Sequence, residues 1–414
     1  MFGITARNMP KTCAGHRYSS LPFAIRLYTT ERHTTLSAKA WVLTNGDPID
    51  TLKMTRLATA LGIPFETKHA IQASTWLSEV IRRPFKSIRS LLSKPKSPGA
   101  LQHIQDATAS DLPRIAIAAS EEAVPGLLEA KLLSCGQTMT VYLGLPKAKL
   151  SKIDALVLSQ LDQMKLRTLG PGRAILDNAE STLLPFSGGL ATMDAHDDAS
   201  VSPDAPRTLA VCIGQGMEPA GFRLLTRDVD ALAEGLMRIP SHPRIRVLLP
   251  RTMHKGIRRM VNSHLICKLL ATHTDPHASQ HPPSNIEVLD YSLGAQLPSP
   301  VDVISAATHV ITTADNVSMM SLAVSLRRPV YIAGEERTTD VLRSYYHTLE
   351  TKNLVRRFYP TGSKYDYMLM ADIDGKVDDL SAIRDHDPWA KYDAEADLYA
   401  IAWFIQLRYS QIKQ

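Results

Sequence analysis

Short apolar runs alternate along the chain with amphipathic stretches, and each run ends at a polar turn. In "AWVLTNGDPIDTLKMTRLATALG", the apolar run over 40–44 precedes a turn and then a stripe of leucines at helical spacing. Gly62 is a natural end for the predicted helix over 49–61. Short apolar strands between amphipathic helices are typical of a buried parallel sheet. Further strands are predicted near Phe65, at 115–118, within 139–146 and within 152–160.

The same alternation restarts in the second half of the chain, after a Gly-, Asp- and Pro-rich stretch at 186–206 that predicts a linker. The pattern therefore predicts an α/β protein with two Rossmann-like doubly wound domains that face each other across a cleft. We expect the domains at 37–185 and 207–390, followed by a long C-terminal helix within 391–414. In the second domain, strands are predicted at 208–213, 246–249, 286–289, 310–313 and 330–332, and helices at 225–237, 254–270 and 339–348.

Length and composition agree with two folded domains and exclude several classes of protein. A chain of 414 residues exceeds one typical core, and 44% hydrophobic with 21% charged residues is typical of globular proteins. The net charge of +6 comes largely from the first 40 residues and from 82–96, which does not indicate a nucleic-acid surface. The sequence contains no run of about 18 apolar residues, so no membrane-spanning helix is predicted. The four cysteines lie far apart, which favours a reduced or imported location over secretion and leaves no metal-ligand spacing.

The first 36 residues have the composition of a mitochondrial targeting segment. They contain Arg7, Lys11, Arg17 and Arg26, many Ser and Thr residues, and no acidic residue before Glu31. The sequence Arg-Leu-Tyr at 26–28, followed by Thr, resembles the site at which such presequences are cleaved. A basic tail without a role is the alternative. We expect a mitochondrial location and a disordered segment 1–36 that takes no part in the fold.

Polar residues follow three strands of the second half, where a parallel sheet presents its carboxyl edge to a ligand. Gly214 and Gly216 follow the first strand and let a phosphate approach the backbone, whereas Arg251 and Thr252 supply a charge and a hydroxyl suited to an anion. The third strand ends at the start of a helix in "ITTADNVS". For each junction alone, an ordinary tight turn or helix cap is the simpler interpretation. Together they predict a ligand site that includes Asp315, Asn316 and Ser318.

Several motifs resemble one known family. The stretch "THVITTADNVSMMSLAVSLRRPVYI" is similar to the T-A-D-S-V-S-M-x-S-E-A signature of the mitochondrial fission proteins of the elongated-mitochondria type. "WVLTNG" resembles that family's W-V-L-T-D-G, "VCIGQG" its L-I-G-G-P and "LPRTM" its S-R-R-T-P. "KIDALVLSQLD" resembles its F-D-L-V-V-x-P-E-H-D, and "YYHTLETKNLVRRF" its F-H-x-x-L-x-x-x-G-x-x-R-x-F, with His347 and Phe358 matched. The resemblance extends over most of 38–360 and implies a GT-B glycosyltransferase-like fold.

The resemblance also implies a nucleotide-sugar cleft, to which it adds Thr44, Asn45, Gly46 and His347. The full predicted set is Thr44, Asn45, Gly46, Gly214, Gly216, Arg251, Thr252, Asp315, Asn316, Ser318 and His347. No catalytic residue, metal ligand or cofactor is predicted.

Four positions depart from the family pattern. Asn45 replaces an Asp, Ser120 a Gly, Leu161 a His and Leu322 a Glu. In GT-B transferases an acidic residue in the region of Leu322 commonly holds the donor sugar or ribose, and a leucine cannot accept those hydroxyls. The departures predict weakened or absent catalysis.

Three functions follow from the resemblance. The first is a mitochondrial factor acting in fission or organisation, with a dynamin-related GTPase as partner. The second is a glycosyltransferase that uses a nucleotide-sugar donor, and the third a non-catalytic nucleotide-sugar-binding protein. A cleaved presequence would carry the chain inside the organelle, away from a cytosolic GTPase, so the targeting expectation and the adaptor role conflict.

A basic amphipathic segment at 81–96 offers one more contact. Its arginines and lysines lie among apolar residues and fit peripheral contact with an anionic membrane, or a helix docked on the core with a solvated basic face. Histidines at 273, 277 and 281 have helical metal spacing, but the neighbouring prolines favour a loop.

Overall fold

The structure is a computed structural model that describes residues 39–69, 112–146, 152–168, 183–186, 208–216, 222–237, 244–272, 285–294, 296–358, 389–390 and 392–412. The predicted targeting segment 1–36, the basic segment 81–96, the histidines at 273–281 and all of the linker except Phe186 lie outside these ranges.

The first half forms a six-stranded parallel sheet in the order β2-β1-β3-β4-β5-β6. Helices α1 (Pro48–Ala60), α2 (Val124–Leu133) and α3 (Gln160–Thr168) follow β1, β3 and β5. The sequence order of the strands reverses between β1 and β3, which pair with Ala40 opposite Ile115. The strands are β1 (Ala40–Thr44), β2 (Phe65–His69), β3 (Ile115–Ala118), β4 (Met139–Leu143), β5 (Ala155–Ser159) and β6 (Leu183–Phe186).

The second half forms another six-stranded parallel sheet, ordered β12-β11-β10-β7-β8-β9. Counted within this half, that order is 3-2-1-4-5-6 read from the β9 edge, which is the Rossmann order, with its reversal between β7 and β10. The strands are β7 (Thr208–Cys212), β8 (Arg244–Leu249), β9 (Ile286–Asp290), β10 (His309–Thr313), β11 (Val330–Ala333) and β12 (Arg356–Phe358).

The helices of the second half connect these parallel strands. They are α4 (Thr226–Met237), α5 (Lys255–Val261), α6 (Cys267–Thr272), α7 (Pro300–Ser305), α8 (Val317–Ser325) and α9 (Asp340–Thr351). The last helix of the described residues is α10 (Ala394–Ile412). The predicted fold class, with two Rossmann-like α/β domains, is confirmed.

Most predicted strands form because their residues are apolar on both faces, as a sheet covered on both sides requires. All residues of β1, β3 and β4 are buried, and so are four of the five residues of β7. Strand β6 was not predicted. It contains Pro185 and lies at the edge of its sheet, where a missing backbone donor is tolerated.

The predicted helix over 254–270 is longer and less regular than expected. His254 caps α5, and a π-helical segment (Asn262–Ile266) joins α5 to α6. None of the helices in the described residues is both long and apolar enough to cross a membrane.

The two halves pack on each other through residues that follow strands of the first sheet. Ile49, at the start of α1, and Leu161, at the start of α3, belong to the hydrophobic core of the second half. Helix α1 also contacts α7, and α3 contacts α9. The carboxyl edge of the first sheet therefore faces the second half.

The C-terminal helix returns to the first half. Helix α10 packs on α1 and β5, and Gln406 Nε2 donates to the carbonyl of Leu61 at 3.1 Å. Residues Leu398, Ile401 and Ile405 form its buried face.

Candidate functional site

The strand order of the second sheet reverses between β7 and β10, which is where open α/β sheets bind ligands. These strands pair in parallel with Cys212 opposite Thr312, so their carboxyl ends lie side by side. The loop after β7 contains Gly214 and Gly216, and the turn after β10 contains Asp315 and Asn316. Four residues predicted from two separate strand ends thus meet at one point.

A closed hydrogen-bond network joins the two loops. The Gly214 N–H donates to Thr313 Oγ1 at 2.8 Å, and that hydroxyl donates to Asp315 Oδ1 at 2.6 Å. The Gly216 N–H donates to Asp315 Oδ2 at 2.6 Å. Both amides that the sequence offered to a phosphate are therefore already bonded within the protein. We call Gly214, Gly216, Thr313 and Asp315 the switch-point network.

Both glycines are required by this packing. A Cβ at Gly214 would lie 2.3 Å from the carboxylate atoms of Asp315. Gly216 has a φ of +84°, which favours glycine, and a Cβ there would lie 2.6 Å from the side chain of Ile257 on α5. Gly214 thus makes room for an aspartate of its own chain at the place where a phosphate-binding glycine makes room for a ligand.

Burial raises the pKa of Asp315, and the hydrogen bonds from Thr313 and from the Gly216 amide act in the opposite direction. Desolvation penalises the charged carboxylate, whereas donors to it favour the charge. The carboxylate therefore depends on these two donors.

The turn after Asp315 is held by two further contacts. Asn316 caps α8 by accepting from the Met319 N–H at 3.4 Å, and its Nδ2 donates to the Ile213 carbonyl at 3.3 Å. The buried hydroxyl of Tyr346 donates to the Ala314 carbonyl at 2.5 Å. Asn316 thus has the cap role of an ordinary helix start and also binds the β7 loop.

The remaining predicted residues of the second half lie apart from the network. Arg251 and Thr252 are exposed just after β8, and neither makes a hydrogen bond or ion pair with the described residues. Ser318 is exposed in the first turn of α8, and His347 is exposed on α9. Since Gly216 packs against Ile257, the Arg251–Thr252 turn before α5 lies at the same edge of the sheet as the network.

In the first sheet, Thr44, Asn45 and Gly46 form a local turn at the point where the strand order reverses. Thr44 Oγ1 accepts from the Gly46 N–H at 3.0 Å, and Asn45 Oδ1 accepts from the Asp47 N–H at 3.0 Å. Asn45 Nδ2 also donates to Glu122, after β3, at 3.4 Å. Gly46, with a φ of +90°, permits this turn. The described contacts do not join these three residues to the switch-point network.

An acidic edge of the first sheet was missed by the sequence analysis. Burial raises the pKa of the Tyr142 hydroxyl, and the charges of Glu121, Asp50, Glu122 and Asp162 raise it further. These carboxylates follow β1, β3 and β5. The sequence could therefore have predicted this acidic edge from the residues that follow each strand. This edge repels an anion, whereas Arg251 on the second half attracts one.

The two family positions occupied by leucine are structural in this chain. Leu161 is 3% exposed and Leu322 is fully buried, and both belong to the core of the second half. A His or Glu at either position would have to be buried there. Ser120, which also departs from the family pattern, is buried just after β3.

The described residues hold no group of three or more His, Cys, Asp or Glu side chains that could bind a metal ion. The Gly214 and Gly216 amides, the Thr313 hydroxyl and both carboxylate oxygens of Asp315 are bonded to one another, so the network is suited to holding two loops together. Among the predicted residues of the second half, Arg251, Thr252, Ser318 and His347 are exposed.

Comparison with known proteins gave one family match. The model of the mitochondrial fission ELM1 family matches residues 52–260. A search of curated proteins found no match.

Solved structures of low similarity were also found. The UDP-GlcNAc 2-epimerase from Neisseria meningitidis bound to UDP-GlcNAc is 11% identical, covers 89% of this chain and 100% of its own, and has a TM-score of 0.45. The UDP-GlcNAc 2-epimerase from Methanocaldococcus jannaschii is also 11% identical, with 89% and 99% covered and a TM-score of 0.45. Phytolacca americana UGT2 complexed with UDP-2fluoro-glucose and pterostilbene is 10% identical, with 91% and 94% covered and a TM-score of 0.37.

Proposed function

The chain belongs to the mitochondrial fission ELM1 family, and from this premise we propose that it acts in mitochondrial fission and organisation without catalysing group transfer. The observation that supports this proposal is the switch-point network. Asp315 bonds to the Gly216 amide at 2.6 Å, so the chain itself uses a donor that a transferase would aim at its substrate. The buried leucines at 161 and 322 remove two polar groups that the family resemblance implies for such chemistry.

The function is tested in cells that lack the chain, by measuring the length of their mitochondria. Loss of a fission factor is expected to lengthen the mitochondria, and the wild-type chain is expected to restore them. The double variant Arg251→Ala, Thr252→Ala removes the exposed positive charge and hydroxyl that follow β8. The matched control is Arg259→Ala, which removes one exposed positive charge from α5. A non-catalytic role predicts that both variants restore normal length.

An enzymatic test accompanies the cellular one. The purified chain is incubated with UDP-sugars, and release of UDP is followed with and without sugar, lipid and peptide acceptors. We expect no turnover above that of the protein-free control. UDP release that is lost in the Arg251→Ala, Thr252→Ala variant but not in Arg259→Ala would overturn the non-catalytic proposal.

The mitochondrial location is tested by protease treatment of intact isolated mitochondria, together with N-terminal sequencing of the mature chain. We expect cleavage near Tyr28 and full protection, because the first acidic residue is Glu31 and four basic residues precede it. That result would exclude direct recruitment of a cytosolic dynamin-related GTPase. An uncut chain that is digested from outside would contradict the presequence and favour the adaptor role.

A second candidate function is nucleotide-sugar binding without transfer. It is favoured by Arg251, Thr252 and Ser318, which are exposed at the edge where the sheet order reverses and are suited to phosphate and hydroxyl groups. Calorimetric titration with UDP-GlcNAc tests it. Binding that is lost in the Arg251→Ala, Thr252→Ala variant and retained in Arg259→Ala would support it, and the absence of heat at millimolar ligand would reject it.

A further inference from the structure

A buried carboxyl pair lies between the second sheet and α9. Glu335 begins a 3₁₀ turn (Glu335–Arg337) just after β11, and it is only 1% exposed. Glu350 lies in the last turn of α9, and Arg357 lies on the edge strand β12. We call Glu335, Glu350 and Arg357 the carboxyl triad. The triad therefore joins three separate elements of the second half.

One arginine contacts both carboxyl groups. The Arg357 guanidinium donates to Glu350 twice, from Nε to Oε1 at 2.7 Å and from Nη2 to Oε2 at 3.0 Å. Its Nη2 also lies 3.1 Å from Oε1 of Glu335. A two-pronged contact of this kind is typical of a charged carboxylate. Glu350 is therefore the charged member of the pair, and it balances the charge of Arg357.

The second oxygen of Glu335 has no donor. Oε2 is buried, and the described residues offer it no hydrogen bond. A charged oxygen that is buried without a donor costs free energy, and a second negative charge beside Glu350 costs more. A protonated Glu335 avoids both costs, because its own O–H donates to the Glu350 carboxylate, which lies within hydrogen-bonding reach. The geometry thus fits two carboxyl groups that share one proton.

The pKa of Glu335 agrees with this arrangement. Burial raises it most, the charge of Glu350 raises it further, and it reaches about 8 although Arg357 acts in the opposite direction. The exposed carboxylate of Glu336, in the same turn, also raises it. Glu335 therefore retains its proton at neutral pH in the folded chain.

The other arginines of these elements have partners elsewhere. Arg337 pairs with Asp228 on α4, and Arg343 donates to backbone carbonyls of the 3₁₀ turn. Arg356 lies over the ring of Trp389. Among the arginines of the turn, α9 and β12, Arg357 is thus the one that contacts the carboxyl pair.

The triad holds a helix that reaches two other parts of the molecule. Helix α9 contacts α3 of the first half, and the hydroxyl of Tyr346 on α9 donates to the carbonyl of Ala314, the residue before Asp315. Strand β12 pairs with β11 through only three residues. A side-chain link between β12, α9 and the end of β11 therefore supports a short edge strand and the helix beside it.

We propose that the proton shared by Glu335 and Glu350 is a latch that holds α9 and β12 on the second sheet and that opens as the pH rises. In the open state Glu335 is solvated and ionises with its ordinary pKa of 4.5. Opening therefore releases one proton, and the equilibrium constant for opening rises about tenfold per pH unit between about 4.5 and 8. Above that range the closed state has also lost the proton, so the rise ends.

Hydrogen exchange of the full chain, followed by mass spectrometry, tests the latch segment by segment. Peptides from 340–358 report on α9 and β12, and peptides from β4, in the interior of the first sheet, are the internal reference. Between about pH 5.5 and 7.5, after correction for the intrinsic exchange rate, protection of 340–358 is expected to fall about a hundredfold. Protection of β4 is expected to fall much less.

Two neutral variants identify the group that titrates. Glu335→Gln retains an uncharged donor for Glu350 and an acceptor for Arg357, so protection of 340–358 is expected to stay high and to lose its pH dependence. Glu336→Gln, which removes the exposed charge of the neighbouring residue, is the matched control and is expected to keep the pH dependence of the wild type.

Infrared difference spectra detect the shared proton directly and do not depend on opening. A band of a protonated carboxyl group is expected to disappear from the wild type between about pH 7 and 9 and to be absent from Glu335→Gln. In Glu350→Gln the same band is expected to disappear at a lower pH, because the neighbouring negative charge is gone and Arg357 is free to pair with Glu335.

Any of three results would overturn the latch. One is protection of 340–358 that depends on pH no more in the wild type than in Glu335→Gln. Another is an equal fall in the protection of β4, which would mean that the whole chain opens rather than α9 and β12. The last is a carboxyl band that is unchanged in Glu335→Gln, since Glu335 would then not hold the proton.

Discussion

Replacing Gly214 with alanine is a direct test of the switch-point network. The residue is buried, and an added Cβ would lie 2.3 Å from Cγ, Oδ1 and Oδ2 of Asp315. Carbon and oxygen cannot approach so closely, so the carboxylate has to move. When it moves, it leaves the Gly216 amide and the Thr313 hydroxyl, both 2.6 Å away from it.

The cost follows from the bonds that are lost. A hydrogen bond to a charged group contributes about 1.5–3 kcal/mol, so the loss of two such bonds lowers the free energy of unfolding by about 3 kcal/mol at the low end of that range. Water cannot easily replace these bonds because the carboxylate is largely screened from solvent, and the same burial raises its pKa. We therefore expect a large effect from a single methyl group.

Urea unfolding followed by circular dichroism measures the change, since the midpoint falls with stability when the slope is constant. Gly126→Ala is the matched control. Gly126 lies within helix α2, and its added Cβ would meet only Leu43 at 3.6 Å, an ordinary contact distance. In a helix the same substitution is expected to stabilise the chain by about 0.5–1 kcal/mol.

A second variant tests whether Asp315 is the cause. In an Asp315→Ala background the methyl group at position 214 has no carboxylate to displace, so Gly214→Ala should cost much less there. The reasoning would be refuted if Gly214→Ala were as stable as the wild type. It would also be refuted if its cost were the same with and without Asp315.

Three other changes test separate parts of the structure. Burial and the neighbouring charge of Glu350 raise the pKa of Glu335 to about 8. Because the folded state holds this proton more tightly than the unfolded chain, the free energy of unfolding of the wild type should fall relative to Glu335→Gln as the pH rises from about 4.5 to 8. Urea midpoints measured across that pH range test this. Leu161→His, which introduces the residue that the family resemblance implies, should cost about 3 kcal/mol because the site is apolar and buried, and an unchanged melting temperature would contradict this packing. Tyr346→Phe removes the bond to the Ala314 carbonyl and should cost about 1–2 kcal/mol in the same unfolding assay.

The sequence by itself determined the repeated strand–helix units and therefore the fold class. Strands such as Ile115–Ala118 are apolar throughout, and such runs between amphipathic stretches have few other stable arrangements. Caps are local as well, so Asn316 could be expected at a helix start. Strand-end positions also indicated which residues would gather at the carboxyl edges.

Tertiary structure alone decided what those residues contact. Asp315 bonds to Gly216, which lies 99 positions earlier, and Gln406 bonds to Leu61, which lies 345 positions earlier. Sequence periodicity contains no information on such pairs, because they depend on strand order and on the return of α10 to the first half. For the same reason the glycines of the β7 loop predicted an open phosphate site, whereas the fold brings an aspartate of the same chain to their amides.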